Sequence, residues 1–124
     1  MPIHDMYFDN GIFHATQSGR LDGLDAQAFV EALRHYAENS AQPIVVLVDA
    51  RKVESVSPQA SLILMQGSST PNVKMAVIAT ERRETYVQAR TVGMMSERQS
   101  THTTHVFQTY EEAERFAKAN ARTI

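Results

Sequence analysis

His102 and His105 are separated by two threonines, a spacing that could offer two imidazoles to one divalent cation. Zinc asks for three or four ligands, and no His-Glu-x-x-His motif or carboxylate cluster stands near the pair. The two histidines therefore read as part of a solvated loop running into a strand, with no metal. The chain holds no Cys, which excludes a thiol nucleophile, an iron–sulfur cluster, a Cys-type zinc site and a disulfide framework. No Gly-x-Ser-x-Gly elbow is present, and the Ser and Thr residues lie mostly in loops and caps. Gly19 and Gly23 bracket Arg20-Leu21-Asp22 without the Lys of a phosphate-cradling loop, so they read as turn and helix entry. Tyr7 and His14 read as a cross-strand surface pair, and His35 lies beside Arg34 in the polar part of a helix. No base, nucleophile and orienting group can be assembled, which predicts a protein that is not an enzyme and needs no cofactor.

Two regions are better suited to binding. In open α/β sheets, ligands lie outside the carboxyl ends of the parallel strands. Here those ends carry Asp49 and Arg51, then Thr80, Glu81, Arg82 and Arg83. A helix beginning at Ser57-Pro58 would add backbone N–H groups able to hold an anion. Exposed charged loop ends are the alternative reading. The second region is Leu62-Ile63-Leu64-Met65, a run of large apolar residues inside one helix. A one-sided amphipathic helix buries only part of such a run. The remainder must face a second layer of the same chain, a second subunit or a ligand.

The elements that position these residues follow from periodicity. The sequence has 124 residues, with 12 Lys and Arg against 14 Asp and Glu. That length predicts one domain over residues 1–124, and a net charge of −2 argues against a nucleic-acid surface. The longest aliphatic run, Ile44 to Val48, is far too short to span a bilayer. No basic region followed by an apolar stretch opens the sequence, so the expectation is a cytoplasmic protein without membrane insertion. Asn10-Gly11 predicts a two-residue type I′ hairpin that sets Phe8 opposite Phe13, Met6 opposite Ala15, Tyr7 opposite His14 and Asp5 opposite Thr16. Gly19 to Gly23 should break the strand and lead into a helix over about Asp25–Glu38, burying Leu24, Ala28, Phe29, Ala32, Leu33 and Tyr36. Ile44 to Val48 reads as a strand covered on both faces and ending at Asp49.

Ser57 is a good N-cap and Pro58 suits the first helical position, so a second helix should run from there to Gly67. A strand over Val73–Ala79 and a third helix from Thr80 or Glu81 to about Met95 follow, the latter with Tyr86, Val87, Val92, Met94 and Met95 as its apolar residues. A short strand over Thr104–Phe107 precedes the last helix, where Thr109 and Glu112 fit a capping box and Ala113, Phe116 and Ala117 form the buried stripe. The order β-β-α-β-α-β-α-β-α predicts an α/β domain with a mixed, mostly parallel sheet, an N-terminal hairpin and four helices.

Taken in order, these segments resemble the STAS domain, the SpoIIAA-like fold shared by sulfate-transporter tails and bacterial anti-sigma-factor antagonists. Gly19-Arg20-Leu21-Asp22 before a helix resembles the family's Gly-x-Leu-Asp entry. The strand ending in Asp49, then Val53, then Ser57-Pro58-Gln59-Ala60, is similar to its central segment, and Thr109-Tyr110-Glu111-Glu112-Ala113 to its closing element. Antagonist members carry Asp-Ser-Ser-Gly at the second helix start, and a kinase phosphorylates the first of those serines. Pro58 stands at that position here and has no hydroxyl, so the resemblance does not carry the phosphorylation switch over. What it implies is a non-enzymatic domain that binds a protein partner or itself through Ser57, Pro58, Gln59, Leu62 and Met65, with Asp49, Arg51 and Arg82 nearby. The oversupply of apolar residues in the second helix predicts a homodimer. The alternative is a pocket for a small lipophilic or anionic ligand at the strand carboxyl ends.

Overall fold

The computed structural model describes residues 3–67, 70–81 and 103–121. Strands β1 (Ile3–Asp9) and β2 (Ile12–Leu21) form the expected hairpin. Asn10 and Gly11 have φ of 51° and 81°, the two positive values that a type I′ turn requires. Tyr7 pairs with His14 and Phe8 with Phe13, as the turn predicts. Beyond Tyr7 the register departs from expectation. A bulge at Asp5-Met6, with Asp5 at φ 53°, sets His4 rather than Asp5 opposite Thr16. The extra residue turns Ile3 into the core and leaves Met6 exposed, where an unbroken ladder would have placed Met6 opposite Ala15.

Helix α1 (Gly23–Glu38) starts earlier than expected because Asp22 caps it. The Asp22 carboxylate accepts the Asp25 N–H at 2.9 Å, and the Asp25 carboxylate accepts the Asp22 N–H at 3.0 Å. Its buried residues are Ala26, Phe29, Val30, Leu33 and Ala37, with Ala32 and Tyr36 packed partly against them. Leu24 and Ala28, expected on that face, are exposed. Leu24 stands five residues before Phe29, roughly 140° around the helix, so both cannot face the sheet.

Strand β3 (Ile44–Val56) runs on past Asp49, where the sequence predicts its end. Its pairing with β4 (Val73–Ala79) stops at Asp49, but β2 keeps pairing with it as far as Leu21 opposite Val56. Gly19, at φ 68°, adjoins a register shift in that extension. The glycine bulges the strand instead of ending it. Helix α2 (Pro58–Gly67), strand β5 (Thr103–Phe107) and helix α3 (Tyr110–Ala121) complete the described elements. The helix expected over Thr80–Met95 falls almost wholly outside the described residues, as do Arg82 and His102.

The sheet order is β1-β2-β3-β4-β5, antiparallel at the first pair and parallel thereafter. Alternation along β3 explains the layers. Val46 and Val48 point to the face covered by α1 and α2, while Val45 and Leu47 point to the face covered by α3. Burying such a side chain contributes about 1.5–3 kcal/mol, which is why a fully aliphatic strand sits at the centre. Ala113 and Ala117, one turn apart and fully buried, let α3 lie close on Val45, Leu47 and Val77. Phe116, expected in that stripe, is partly buried and packs on the rings of His105 and Phe107. The cap of α3 differs in one detail from the expected box. Thr109 Oγ1 accepts the Glu112 N–H at 3.3 Å, but the Glu112 carboxylate takes the Thr109 hydroxyl at 2.9 Å instead of a backbone N–H.

Candidate functional site

The residues singled out in the sequence divide between the two faces of the sheet. Ser57 to Met65 lie on the α1–α2 side. Ser57 Oγ accepts the Ala60 N–H at 3.0 Å, so the residue caps α2 as expected. Pro58 and Gln59 are exposed in the first turn, Leu62 is 50% exposed, and Met65 is half-buried. Ile63 and Leu64 pack against the core. The apolar run is thus shared between the interior and the surface. The start of α1 lies against α2: a methyl on Gly23 would stand 3.5 Å from both Gln59 Cβ and Ile63 Cδ1. Leu24, 77% exposed, follows that contact directly.

Asp49 and Arg51 are on the other face. Arg51 Nε and Nη2 each donate to the Asp49 carboxylate at 2.8 Å, and the guanidinium lies 5.0 Å from the centre of the Tyr110 ring on α3. Burial would raise the Asp49 carboxyl, but the Arg51 hydrogen bonds and charge outweigh it and hold the group below its ordinary range. Arg51 is therefore committed to a carboxylate and a ring. Thr80 is fully buried, and its N–H donates to the Phe107 carbonyl at 2.8 Å, so it closes the sheet rather than standing at an exposed strand end.

The same face has an open flank. Helix α3 covers the middle of the sheet and reaches over β2, and between it and the hairpin lie two adjoining recesses of about 450 and 380 Å³ that share Tyr7 and His14. Asp9, Glu114 and Lys118 line the first. Thr16, Asp49 and Tyr110 line the second. The Tyr7 and His14 rings stack 4.3 Å apart and within 5° of parallel, the cross-strand pair the turn predicts. It is not a surface pair, however, because His14 is only 9% exposed. The polar-face assignment missed that α3, at the far end of the sequence, folds over β2. Among the described residues no side chain hydrogen-bonds the His14 ring, and no group of three or more His, Asp or Glu side chains is placed to hold a metal ion.

No protein-family model matches the sequence, and no curated protein matches it. A solved structure does match: an uncharacterised DUF3478-family protein with a SpoIIAA-like fold from Shewanella loihica PV-4. It aligns with a TM-score of 0.66 at 15% identity, over 93% of each chain. The chain has the SpoIIAA-like fold. Among its described residues no helix is long and apolar enough to cross a membrane.

Within this SpoIIAA-like sheet, His14 has a measurable signature. Burial lowers its pKa below the ordinary 6.5, against the opposing pull of Asp9 and Glu114 and with help from Lys118. The unfolded chain then binds the proton first as the pH drops. Stability should fall from about pH 6.5 downward and be unaffected by this residue above it. His14→Phe keeps the ring on Tyr7 and removes the titration. Urea unfolding at neutral and mildly acidic pH should show a smaller acid loss in that variant, and equal losses in both proteins would refute the assignment.

Proposed function

We propose that this SpoIIAA-like chain is a non-enzymatic interaction domain that binds a protein partner through the surface of α2 around residues 57–66. A second copy of itself is the first candidate. The observation that carries the reading is Leu62, half-exposed on a helix whose Ile63 and Leu64 are already used by the core, while the exposed Leu24 of α1 follows Gly23, which lies against Gln59 and Ile63. Large apolar side chains left in solvent gain from association when a partner covers them. Ser57 is occupied as a cap and Pro58 has no hydroxyl, which supports an association without a phosphate switch at this helix.

The test is light scattering over a concentration series. Leu62→Asp should abolish self-association while leaving the unfolding curve near that of the parent. Ser57→Asp should associate as the parent does, because Asp also caps a helix and suits its N-terminus. Ser57→Ala should lower stability by about 1 kcal/mol without dissociating the folded protein. An assembly that survives Leu62→Asp, or that Ser57→Asp dissolves without unfolding, would overturn the reading. A parent that stays monomeric at high micromolar concentration would remove self-association and leave a different protein as the partner.

A further inference from the structure

The hairpin-side groove lies on the opposite face of the sheet from α2, and its chemistry is independent of that surface. His14 is the informative residue. The residue as a whole is nine-tenths buried, yet its ring nitrogens are not among the buried atoms that lack a partner, so they open onto the solvent of the recesses. Here the ring lines both recesses, Tyr7 covers one of its faces, and no described side chain bonds it. Its nitrogens are left for whatever enters the groove.

The charges around it indicate what that is. In the recess beside α3, the carboxylates of Asp9 and Glu114 face one ammonium, Lys118, which reaches Glu114 only at 3.8 Å. Asp9 is engaged on one oxygen by the Asn10 amide at 3.3 Å. In the adjoining recess the cation nearest to hand, Arg51, is already held by both oxygens of Asp49, and Asp5, one oxygen of which lies 3.0 Å from His4 Nδ1, adds a further carboxylate at the rim. An anion entering here would meet carboxylates and no uncommitted guanidinium. A cation would meet carboxylates, an imidazole and the exposed ring of Tyr7, which attracts positive charge. The two volumes fall within the range of small-molecule sites.

We infer that the groove between the β1–β2 hairpin and α3 is a binding site for a small aliphatic amine, with Asp9 and Glu114 holding the ammonium and His14 accepting one of its N–H groups. A short methylene stem would lie over Tyr7, and a second ammonium could reach toward Asp5 in the adjoining recess. The ligand is thus cationic, where the strand ends read from sequence alone suggested an anion.

Butane-1,4-diamine is the probe, and butane-1,4-dioate, of equal length and opposite charge, is the control. The measurement is NMR of the histidine ring protons, with the melting temperature in parallel. The diamine should shift the His14 ring resonances saturably at millimolar concentration and raise the melting temperature, while the dioate does neither. Glu114→Gln and Asp9→Asn, both at accessible positions, should each weaken the diamine by about tenfold. Lys118→Gln should tighten it, since it removes the competing ammonium; a variant that merely loosened the fold would not do so. The inference is overturned if the His14 resonances do not move, if the dioate binds instead, or if the diamine binds all three variants as it binds the parent. None of these outcomes bears on self-association through α2, which Leu62→Asp reads separately.

Discussion

Asn72→Ala is expected to destabilise the protein by about 3 kcal/mol in urea unfolding, because one side chain and one backbone conformation are lost together. The Asn72 amide nitrogen donates to three carbonyls, those of Ala37 at 2.9 Å, Ser40 at 3.0 Å and Gln42 at 3.2 Å. Its own carbonyl accepts the Ile44 N–H at 2.9 Å. Asn72 thus ties the end of α1 and the loop that follows it to the start of β4. It also sits at φ 67°, a conformation that Asn tolerates and that costs Ala about 1–2 kcal/mol. The lost hydrogen bonds contribute a net of about 0.5–1.5 kcal/mol each, reduced because Ala37 and Gln42 have other donors. Asn72→Gly separates the two causes, since it relieves the backbone and still removes the amide. It should recover about 1 kcal/mol of the loss. A change of less than about 0.5 kcal/mol for Asn72→Ala would mean that the loop is held by something else.

Which features were legible in the sequence depended on how locally they are determined. The hairpin turn was readable because Asn-Gly answers a backbone requirement at two adjacent positions. The start of α2 was readable for the same reason, as Ser57 and Pro58 act on the first turn beside them. The aliphatic run of β3 announced burial on both faces, and α1–α2 and α3 supply it. The bulge at Asp5 was not readable, because a single Asp at positive φ leaves no mark on the hydrophobic pattern. Nor was the buried face of α1. Leu24 outweighs Ala26 on any scale of hydrophobicity, yet Ala26 is buried and Leu24 is left outside.

The division of the candidate residues has a similar cause. Asp49 and Arg51 stand only a few positions before Ser57, and in sequence they belong together. Alternation along β3 sends both toward α3, and the strand then continues to Val56 before the chain crosses to the α2 side. His14 was misplaced because its exposure depends on α3, at the far end of the sequence. Its cross-strand partner was local and was found, while its burial was tertiary and was not.

Gly67→Ala is the second large effect expected, about 2 kcal/mol of destabilisation, and its sign is the informative part. Gly67 is the last residue of α2, and in an exposed helix Ala would be preferred to Gly by up to about 1 kcal/mol. Here an added methyl would stand 2.6 Å from Val30 Cγ2 and 3.1 Å from Cγ1, across the contact between α2 and α1. Valine in a helix is stiff at χ1, so it has no easy rotamer by which to withdraw. The helices must separate instead, and overpacking of this kind costs about 1–3 kcal/mol. A double-mutant cycle isolates the contact. Val30→Ala alone removes two buried methyls and should cost about 1–3 kcal/mol through the space it leaves. With both substitutions present, the methyl introduced at position 67 enters that space, and the pair should be more stable than the sum of the single losses by about 1–2 kcal/mol. Strict additivity would show that the two residues do not meet. A stabilising Gly67→Ala would show that helix propensity outweighs the clash and that α1 and α2 have room to spare. The same cycle followed by light scattering links packing to association, because α2 carries Leu62. If the α2 surface mediates self-association, Gly67→Ala should weaken it in the folded protein, and adding Val30→Ala should restore it.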